Sequence, residues 1–488
     1  MEHLQMSTKL TNRWLALYVL CLGVLMIVLD STIVTVALPS IQADLGFSGS
    51  SLVWVLNAYM LTFGGFLLLG GRLGDLYGNR RLFLLGLSLF TLASLACGLS
   101  TSPVLLVTAR AVQGLGGAVV TAVALALIMN LFPEAGDRAK AMGIYGFVCS
   151  AGSSLGALLG GFLTGALNWH WIFLVNLPIG VAVYALSLMM LPRDTGAAHG
   201  RRLDVAGALS VTAGLMLAVY AVVDGNRAGW ASAQTLALFA AAALLLGAFL
   251  AIEARVHDPL MPLRLFRLRN LATANAVGVA WAAGMFAWFV LSALYLQKVL
   301  NYAPLQVGLA FVPADIIMAA FSLGLSARVV MRYGIRGPLW IGLALATAGL
   351  ALFARAPLDG AFLVDVLPGM LLLGLGAGLA FNPVLLAAMN DVGPDESGLA
   401  SGVVNTSFMM GGALGLALLA SLADARTATL RSGGAEAAAS LNGGYHLAFL
   451  IGACLTAAAA LAGGVLLRQK AAPAVDETAP AGPVAEGS

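Results

Sequence analysis

Long apolar runs recur along this chain and restrict what it can fold into. Each run holds about 20 mostly apolar residues, the length that an α-helix needs to cross roughly 30 Å of hydrocarbon. Backbone amides and carbonyls inside a bilayer must be hydrogen-bonded within the protein, so such runs are expected to be helices. Only 10% of the 488 residues are charged, against about 25% in soluble domains. The sequence therefore predicts an all-α integral membrane protein.

Polar residues, glycine or proline separate fourteen such runs. They lie at residues 15–37, 52–70, 83–100, 104–131, 141–165, 171–191, 205–223, 234–252, 272–296, 305–326, 338–354, 362–388, 400–422 and 445–467. An even number of spans puts both termini on one side of the membrane. Of the 25 Lys and Arg residues, 19 lie in segments on the side of the N-terminus. Because these residues concentrate in cytoplasmic loops, both termini are predicted to be cytoplasmic.

The first and second halves of the chain resemble each other, which indicates an internal repeat. At a shift of 256 positions, GRLGDLYGNRR at 71–81 aligns with ARVVMRYGIRG at 327–337. At a shift of 260, the glycines of GLG at 114–116 align with those at 374–376. Transporters are often built from such repeated halves. Spans one to six then pair with spans nine to fourteen, and spans seven and eight are an insertion.

The repeat predicts a division of the chain into five parts. These are a cytoplasmic N-terminus at 1–14, a six-helix bundle at 15–191, a linker with two extra helices at 192–271, a second six-helix bundle at 272–467 and a disordered cytoplasmic tail at 468–488. The Gly- and Ala-rich stretch at 423–444 is expected to be an unstructured external loop.

Two opposite charges fall inside apolar spans of the first half. With a rise of ~1.5 Å per residue, Asp30 lies about 23 Å from the inner start of span one, and Arg110 about 9 Å from the outer start of span four. In a core of ~30 Å the two are at comparable depth. Charges inside a membrane are rare and usually functional. Burial and a neighbouring cation act in opposite directions on the protonation of a carboxyl, so we expect the pair to couple transport to protons. The alternative is a fixed ion pair that only sets packing.

Six polar, aromatic or sulfur-containing residues at membrane depth are candidates for a substrate cavity. They are Asp315, Asn57, Trp281, Met285, Asn382 and Asn405. Asp315 follows a proline, and a proline breaks the helical hydrogen-bond ladder, as in helices that line a cavity. Asp315 near a helix end, and Trp281 and Met285 as packing or lipid-facing residues, are the alternatives.

The segment GRLGDLYGNRR between spans two and three is short, cytoplasmic and mixed in charge. Gly71 and Gly78 permit close backbone approach, and Asp75 can cap a helix or pair with a cation. We interpret it as a gating loop with four key residues: Gly71, Asp75, Gly78 and Arg80. A solvated turn is the alternative.

Glycines recur every four residues in span five. Gly152, Gly156 and Gly160 form a stripe that lets another helix approach closely, as small residues do in membrane proteins. The stripe is predicted to be a helix-packing surface, either static or sliding.

Several classes of protein have no support in the sequence. No Lys follows a Gly, so the GxxxxGK[ST] phosphate loop is missing, and there is no Asp-Lys dipeptide of phosphorylated pumps. An ion gradient therefore remains as the energy source. The five histidines have no ligand spacing and the four cysteines lie in apolar runs, so neither a metal site nor another cofactor is expected. The sequence has no basic patch of the kind that binds nucleic acid, and it has no motif that would indicate an enzyme.

Five motifs together resemble those of the fourteen-span drug/proton antiporters of the major facilitator superfamily, over residues 14–467. They are LDSTIVTVALP at 29–39, GRLGDLYGNRR at 71–81, RAVQGLGGA at 110–118, GSSLGALLGG at 152–161 and WHWIFLVNLPIG at 169–180. Thr35, Ala157 and His170 stand where this family usually has Asn, Pro and Arg. The resemblance implies that Asp30 is the membrane-embedded acid, Arg110 its proton-relay partner, Asp75 the acid of the gating loop, and the span-five glycines a hinge that favours export.

The expected function is export of an amphipathic drug or antibiotic across the inner membrane in exchange for protons, by alternating access. The expected partners are the small-molecule substrate, protons and the lipid bilayer, and the chain is expected to be a monomer. Two alternatives stay open: an exporter or symporter of an endogenous metabolite, and a membrane sensor that keeps the fold without transporting.

Overall fold

The computed structural model describes residues 2–49, 51–192, 204–257, 259–321, 325–389, 392 and 397–467, and all regular structure in these ranges is helical. The α-helices in chain order are α1 (Glu2–Leu45), α2 (Trp54–Tyr77), α3 (Asn79–Gly98), α4 (Pro103–Leu131), α5 (Ala135–Ala166), α6 (Trp171–Leu174), α7 (Asn176–Met190), α8 (Val205–Ala228), α9 (Ala233–Glu253), α10 (Arg269–Lys298), α11 (Pro304–Ala320), α12 (Ser326–Tyr333), α13 (Arg336–Phe353), α14 (Leu367–Met389), α15 (Ser397–Ser432) and α16 (Ala437–Leu466). Short 3₁₀-helices lie at Ser51–Val53 and Leu263–Arg267, and a π-helical turn at Phe362–Val366 precedes α14.

Most of these helices have the length and composition of membrane spans. Eleven helices among the described residues are long and apolar enough to cross a bilayer. Three shorter apolar helical stretches, Ser51–Leu67, Leu155–Ala166 and Pro304–Ala320, coincide with the predicted spans two, five and ten. The predicted all-α membrane fold is confirmed, whereas the total of fourteen spans stays a prediction.

One segment expected to lack regular structure is helical. The stretch at 423–444 is not a loop, because α15 continues to Ser432 and α16 begins at Ala437, with a short turn at Gly434, where φ is 86°. Alanine is the strongest helix former, so a Gly- and Ala-rich composition is compatible with helix ends that pack together. The N-terminal residues from Glu2 onward also belong to α1. The predicted tail at 468–488 lies outside the described residues.

The segment at 71–81 is not a loop either. Helix α2 continues to Tyr77 and α3 begins at Asn79, so the turn consists of Gly78 alone, at φ 97°. In the second copy Gly334, at φ 73°, also follows its helix directly, but the turn between α12 and α13 contains Ile335 as well. Positive φ is strained for residues with a Cβ, so glycine is needed at both positions. A single-residue turn between two helices transmits movement of one helix directly to the other.

The internal repeat is visible in how the helices pack. A Cβ added at Gly116 of α4 would lie 2.9 Å from the carbonyl oxygen of Gly86 on α3. At the equivalent position of the second half, a Cβ at Gly376 of α14 would lie 2.6 Å from the carbonyl oxygen of Gly342 on α13. The same close helix pair, with backbone in direct contact, therefore occurs in both halves.

The inserted helices lie beside the junction of the halves. Helix α9 packs against α8, and α8 packs against α2 of the first half and α15 of the second. Ser421 Oγ of α15 donates a hydrogen bond of 3.0 Å to the Val222 carbonyl oxygen of α8. Helix α8 thus contacts both halves.

The halves also meet directly at the helix ends predicted to lie outside the cell. Gln297 Nε2 of α10 donates to the Val36 carbonyl oxygen of α1 over 3.0 Å. The neighbouring Lys298 Nζ donates to Gln42 Oε1, also on α1. In addition, α5 packs along α11. These contacts join the two halves at the predicted external side.

Candidate functional site

Asp30 and Arg110 meet in the interior of the first half. Arg110 Nη1 of α4 donates to Asp30 Oδ2 of α1 over 2.5 Å, and both side chains are 0% exposed. A buried ion pair is costly to desolvate, and removing one partner leaves an uncompensated charge. The pair therefore requires further polar partners to be stable at this depth.

Two amide side chains provide those partners for the carboxylate. Gln113 Nε2 and Asn176 Nδ2 each donate to Asp30 Oδ1 over 2.8 Å. Both amides also lie within hydrogen-bond distance of Ser94 Oγ, at 2.6 and 3.2 Å. Asp30 thus accepts three hydrogen bonds, one of them charge-assisted.

The guanidinium of Arg110 has contacts in several directions. Its Nε donates to the Val55 carbonyl oxygen over 2.9 Å, and Nη1 also donates to Gln113 Oε1 over 2.6 Å. Its Cζ lies 4.3 Å from the ring centroid of Tyr59 and 5.7 Å from that of Phe173. Both distances are in the range of cation–π attraction. The planar guanidinium of an arginine can donate in these different directions at once, whereas the compact ammonium of a lysine cannot.

Five helices supply the network, which centres on the ion pair. Asp30 comes from α1, the Val55 carbonyl from α2, Ser94 from α3, Arg110 and Gln113 from α4, and Asn176 from the first residue of α7. Gln113 follows Arg110 by three residues, so both lie on one face of α4. Any change in the bonding of Asp30 therefore affects the packing of the whole first half.

Some buried polar atoms of Arg110 and of helix α2 have no hydrogen-bond partner among the described residues. Within the described residues, Arg110 Nη2, the Tyr59 hydroxyl and both amide atoms of Asn57 are buried without a hydrogen-bond partner. Such groups are costly in a static protein. Asn57 and Tyr59 are close together on α2, the helix that also accepts from Arg110. These groups are candidates for partners that form in another conformation.

The predicted cavity residues lie in different places. Trp281 of α10 is 2% exposed and packs edge to face with Phe381 of α14 at 6.2 Å and Phe408 of α15 at 5.4 Å. Met285, one turn after Trp281, packs against the same apolar cluster. Asn382 and Asn405 are half-buried on α14 and α15, beside this aromatic cluster in sequence.

The two remaining candidates lie elsewhere. Asn57 is on α2 of the first half, and Asp315 is buried on α11, 3% exposed. The assignment of all six residues to one substrate cavity stays a prediction.

The four residues of the predicted gating segment have different surroundings. Gly71 has room for a side chain, since an added Cβ would lie 3.9 Å from the Cβ of Ala122. The expectation of close backbone approach at Gly71 is therefore wrong. Arg80 Nη2 donates to the Leu188 carbonyl oxygen of α7 over 2.7 Å. The side chain of Asp75 lies outside the described part of the structure.

The glycine stripe of α5 packs on α1. A Cβ added at Gly156 would lie 2.8 Å from the Leu29 carbonyl oxygen, and one added at Gly160 would lie 2.5 Å from the Ile33 carbonyl oxygen. Gly152 faces side chains one turn earlier on α1. Helix α5 thus lies directly against the turns of α1 that carry Asp30.

The sequence interpretation did not single out the amide partners. Gln113 and Asn176 lie inside two of the quoted motifs, and Ser94 in none. The spacing of Gln113 from Arg110 would have suggested a shared helix face. In the described part of the chain, no cluster of three His, Cys, Asp or Glu residues could hold a metal ion.

A bundle of apolar helices around a buried ion pair is the architecture of a membrane transporter. The profile described as Major Facilitator Superfamily matches residues 20–416. The chain belongs to the major facilitator superfamily.

Three relatives and one solved structure are similar to this chain over most of its length. Puromycin resistance protein pur8 of Streptomyces alboniger is 40% identical over 455 residues, covering 92% of this chain and 90% of its own. Cephamycin export protein CmcT of Amycolatopsis lactamdurans is 39% identical, covering 85% of each chain. Multidrug resistance protein Stp of Mycobacterium tuberculosis is 38% identical, covering 82% of this chain and 74% of its own. A crystal structure of the nucleoside transporter NupG shares the fold, with a TM-score of 0.66 at 13% identity over 93% of this chain and all of that one.

Proposed function

We propose that this chain exports amphipathic drugs or antibiotics across the inner membrane in exchange for protons. The observation that carries the proposal is the fully buried Asp30–Arg110 pair, with its amide partners, in a chain related to resistance and export proteins. The pair supplies a carboxyl that can change protonation state. The relatives support a small-molecule drug as the transported substrate.

Proton coupling requires that the Asp30 carboxyl be reached from both sides of the membrane in turn. In the state described here, contacts such as Gln297 to Val36 join the halves at the predicted external side. When these contacts open, a proton from outside reaches Asp30 and weakens its bond to Arg110, whose guanidinium is then held by the Val55 carbonyl oxygen, Gln113 and the Tyr59 ring. When the external side closes and the cytoplasmic side opens, the proton leaves Asp30 for the cytoplasm. Arg110 then pairs with Asp30 again. Each proton moved inward across 100 mV supplies about 2.3 kcal/mol.

Other predicted roles belong to the same proposal. Two six-helix bundles rock about the inserted helices, and the packing of Gly116 and Gly376 supports their common origin. Asp315 and the residues around Trp281 bind the cationic and apolar parts of the substrate. The chain acts as a monomer in the inner membrane and needs no cofactor.

Asp30→Asn tests the proton coupling. Asparagine keeps the size of the side chain but does not titrate, so export driven by a pH gradient is expected to fall at least tenfold. The measurement is uptake of puromycin or another resistance drug into inverted proteoliposomes with an imposed pH gradient. Asp224→Asn is the matched control, because Asp224 is a buried carboxylate that accepts from Gln234 at the far end of α8.

The outcomes separate coupling from folding. Asp30→Asn should elute as a folded monomer and retain drug binding, while Asp224→Asn exports at the native rate. Gradient-driven export by Asp30→Asn at the native rate would refute the assignment.

A second function, export of one specific metabolite, is favoured by the names of two relatives. One is a cephamycin export protein, and a 34%-identical one is a probable actinorhodin transporter of Streptomyces coelicolor. A susceptibility panel in an efflux-deficient host separates the two functions. Resistance to several unrelated drugs indicates multidrug export, and resistance to one compound class indicates a dedicated exporter.

A further inference from the structure

Two carboxyl groups meet at the cytoplasmic ends of the inserted helices, far along the chain from Asp30. Asp204 immediately precedes α8, and Glu253 is the last residue of α9. Each residue is only 4% exposed. Asp204 Oδ2 and Glu253 Oε1 are the side-chain oxygens that would crowd a Cβ at Gly207, the latter at 2.9 Å. The two carboxyl groups also lie within hydrogen-bond distance of each other, in a buried site.

One oxygen of each carboxyl already has a donor. Asp204 Oδ1 accepts from the Gly207 amide over 2.7 Å and caps the N-terminus of α8. Glu253 Oε2 accepts from the Met261 amide over 2.9 Å. The other two oxygens, Asp204 Oδ2 and Glu253 Oε1, are buried and have no hydrogen-bond donor among the described residues. These are the two oxygens that lie together beside Gly207.

The surroundings supply no compensating positive charge within the described residues. Asp204 is the charged group that acts on the Glu253 carboxyl, and the backbone of Leu260 and Met261 supplies amide donors. Helix α2 faces this region with Leu69, which packs with Ala208 and Leu260.

The titratable residues of the connecting segment lie outside this contact. Arg255, His257 and Arg264 are solvent-exposed. The side chain of Arg72 and the whole of Arg201, Arg202 and Asp258 lie outside the described part.

Two ionised carboxylates in contact repel each other, and burial increases the cost. A single proton removes both problems, because it neutralises one group and donates a hydrogen bond to the other. We propose that Asp204 and Glu253 form a second proton-binding site, distinct from Asp30, in which one proton is shared between Asp204 Oδ2 and Glu253 Oε1. The proton comes from the cytoplasm and returns to it, and no other bond changes.

The site is placed to control how the halves are connected. Glu253 holds the segment that leads into α10 through the Met261 amide, and Leu260 beside it packs on Leu69 of α2. Leu69 lies just before the predicted gating segment. When the proton is bound, the connecting segment is held against α2; when it leaves, repulsion separates the carboxyl groups and loosens this contact.

Asp204→Asn and Glu253→Gln in the full-length protein test the site. Asparagine caps a helix about as well as aspartate, and either amide can donate to the remaining carboxylate in place of the proton. The native protein holds a proton that the unfolded chain releases, so its stability should fall as pH rises through the range in which the site ionises. Both variants should lose this part of the pH dependence, as measured by thermal unfolding in detergent.

Infrared difference spectra between acidic and alkaline buffer provide a second readout. The native protein should show the C=O band of a protonated carboxylic acid, and each single variant should lose that band. Asp224→Asn is the matched control and should keep both the band and the native pH dependence. The inference is overturned if Asp204→Asn and Glu253→Gln retain the band, if the native protein lacks it, or if stability responds to divalent cations and not to pH. If one variant folds poorly, loss or retention of the band in the other variant decides the question.

Discussion

At the scale of single residues, the protein places a carboxylate where hydrocarbon is expected and surrounds it with donors. Asp30 receives Arg110, Gln113 and Asn176 on its two oxygens, and all four side chains are at most 1% exposed. Because each donor is buried as well, losing any one of them leaves unsatisfied groups on both sides. The network therefore acts as a unit.

Gln113→Leu should damage this unit while leaving the ion pair in place. Leucine has similar size but cannot donate to Asp30 or Ser94 or accept from Arg110, so we expect destabilisation by about 1–3 kcal/mol. Gradient-driven export should also fall. Unfolding in detergent and transport in proteoliposomes measure the two effects.

Ser88→Ala is the control, because the Ser88 hydroxyl donates only to the Leu84 carbonyl oxygen of its own helix. This variant should change stability by less than about 1 kcal/mol. If Gln113→Leu matches Ser88→Ala in both assays, the network has no special role.

At the scale of helices, α5 lies between α1 of its own half and α11 of the other. Gly156 and Gly160 bring its backbone against α1, while Gly308 of α11 approaches the Ala157 carbonyl oxygen, 2.6 Å from an added Cβ. Small residues on two faces let α5 contact both helices through backbone atoms. Movement of α11 against α5 is therefore felt by the helix that carries Asp30.

Gly160→Ala should separate α5 from α1. The new methyl group would lie 2.5 Å from the Ile33 carbonyl oxygen, and that oxygen belongs to the backbone, which yields little. Overpacking of this kind costs about 1–3 kcal/mol, so the thermal midpoint in detergent should fall.

Gly165→Ala is the matched control on the same helix. Nothing lies within 4 Å of a Cβ at Gly165, and alanine is the better helix former, so stability should be unchanged or slightly higher. Equal stability of the two variants would contradict the close α1–α5 contact.

At the scale of the whole molecule, the two halves are joined at their predicted external ends, and the inserted helix α8 touches both halves. Contacts between α1 and α10 join the external ends, and α8 bridges α2 and α15. Alternating access requires the contacts between α1 and α10 to break in each cycle. The α8 contacts can persist while the halves rotate.

Cross-linking at the external ends should stop transport. A short bifunctional thiol reagent applied to Gln42→Cys/Lys298→Cys, in a background without the four native cysteines, links α1 to α10 and should abolish export until the linker is cleaved. The control pair, Arg13→Cys/Asp137→Cys, replaces an ion pair of 2.5 Å between α1 and α5 inside one half. Cross-linking this pair should leave export intact, and export by the linked Gln42/Lys298 pair would exclude the closed state as an obligatory step.

The regular rise of an α-helix places Asp30 and Arg110 at a comparable depth in the membrane, and the two residues do lie in contact. Helix length and polarity are properties of local sequence, so most helices were placed correctly. Local composition gave the wrong structure at 423–444, where alanine-rich helices pack together, and at 71–81, where one glycine forms the whole turn. In both places, packing between helices decided the outcome.

The sequence by itself determined the all-helical membrane class, the superfamily motifs and the presence of a buried acid and base, because these follow from hydropathy, spacing and residue type. Only the tertiary structure decided which amides complete the site and where α1 and α10 join the two halves. It also brought Asp204 and Glu253, 49 positions apart, into contact. Hydrogen bonds between distant helices depend on how those helices are rotated and packed against one another, and no short stretch of sequence encodes that arrangement.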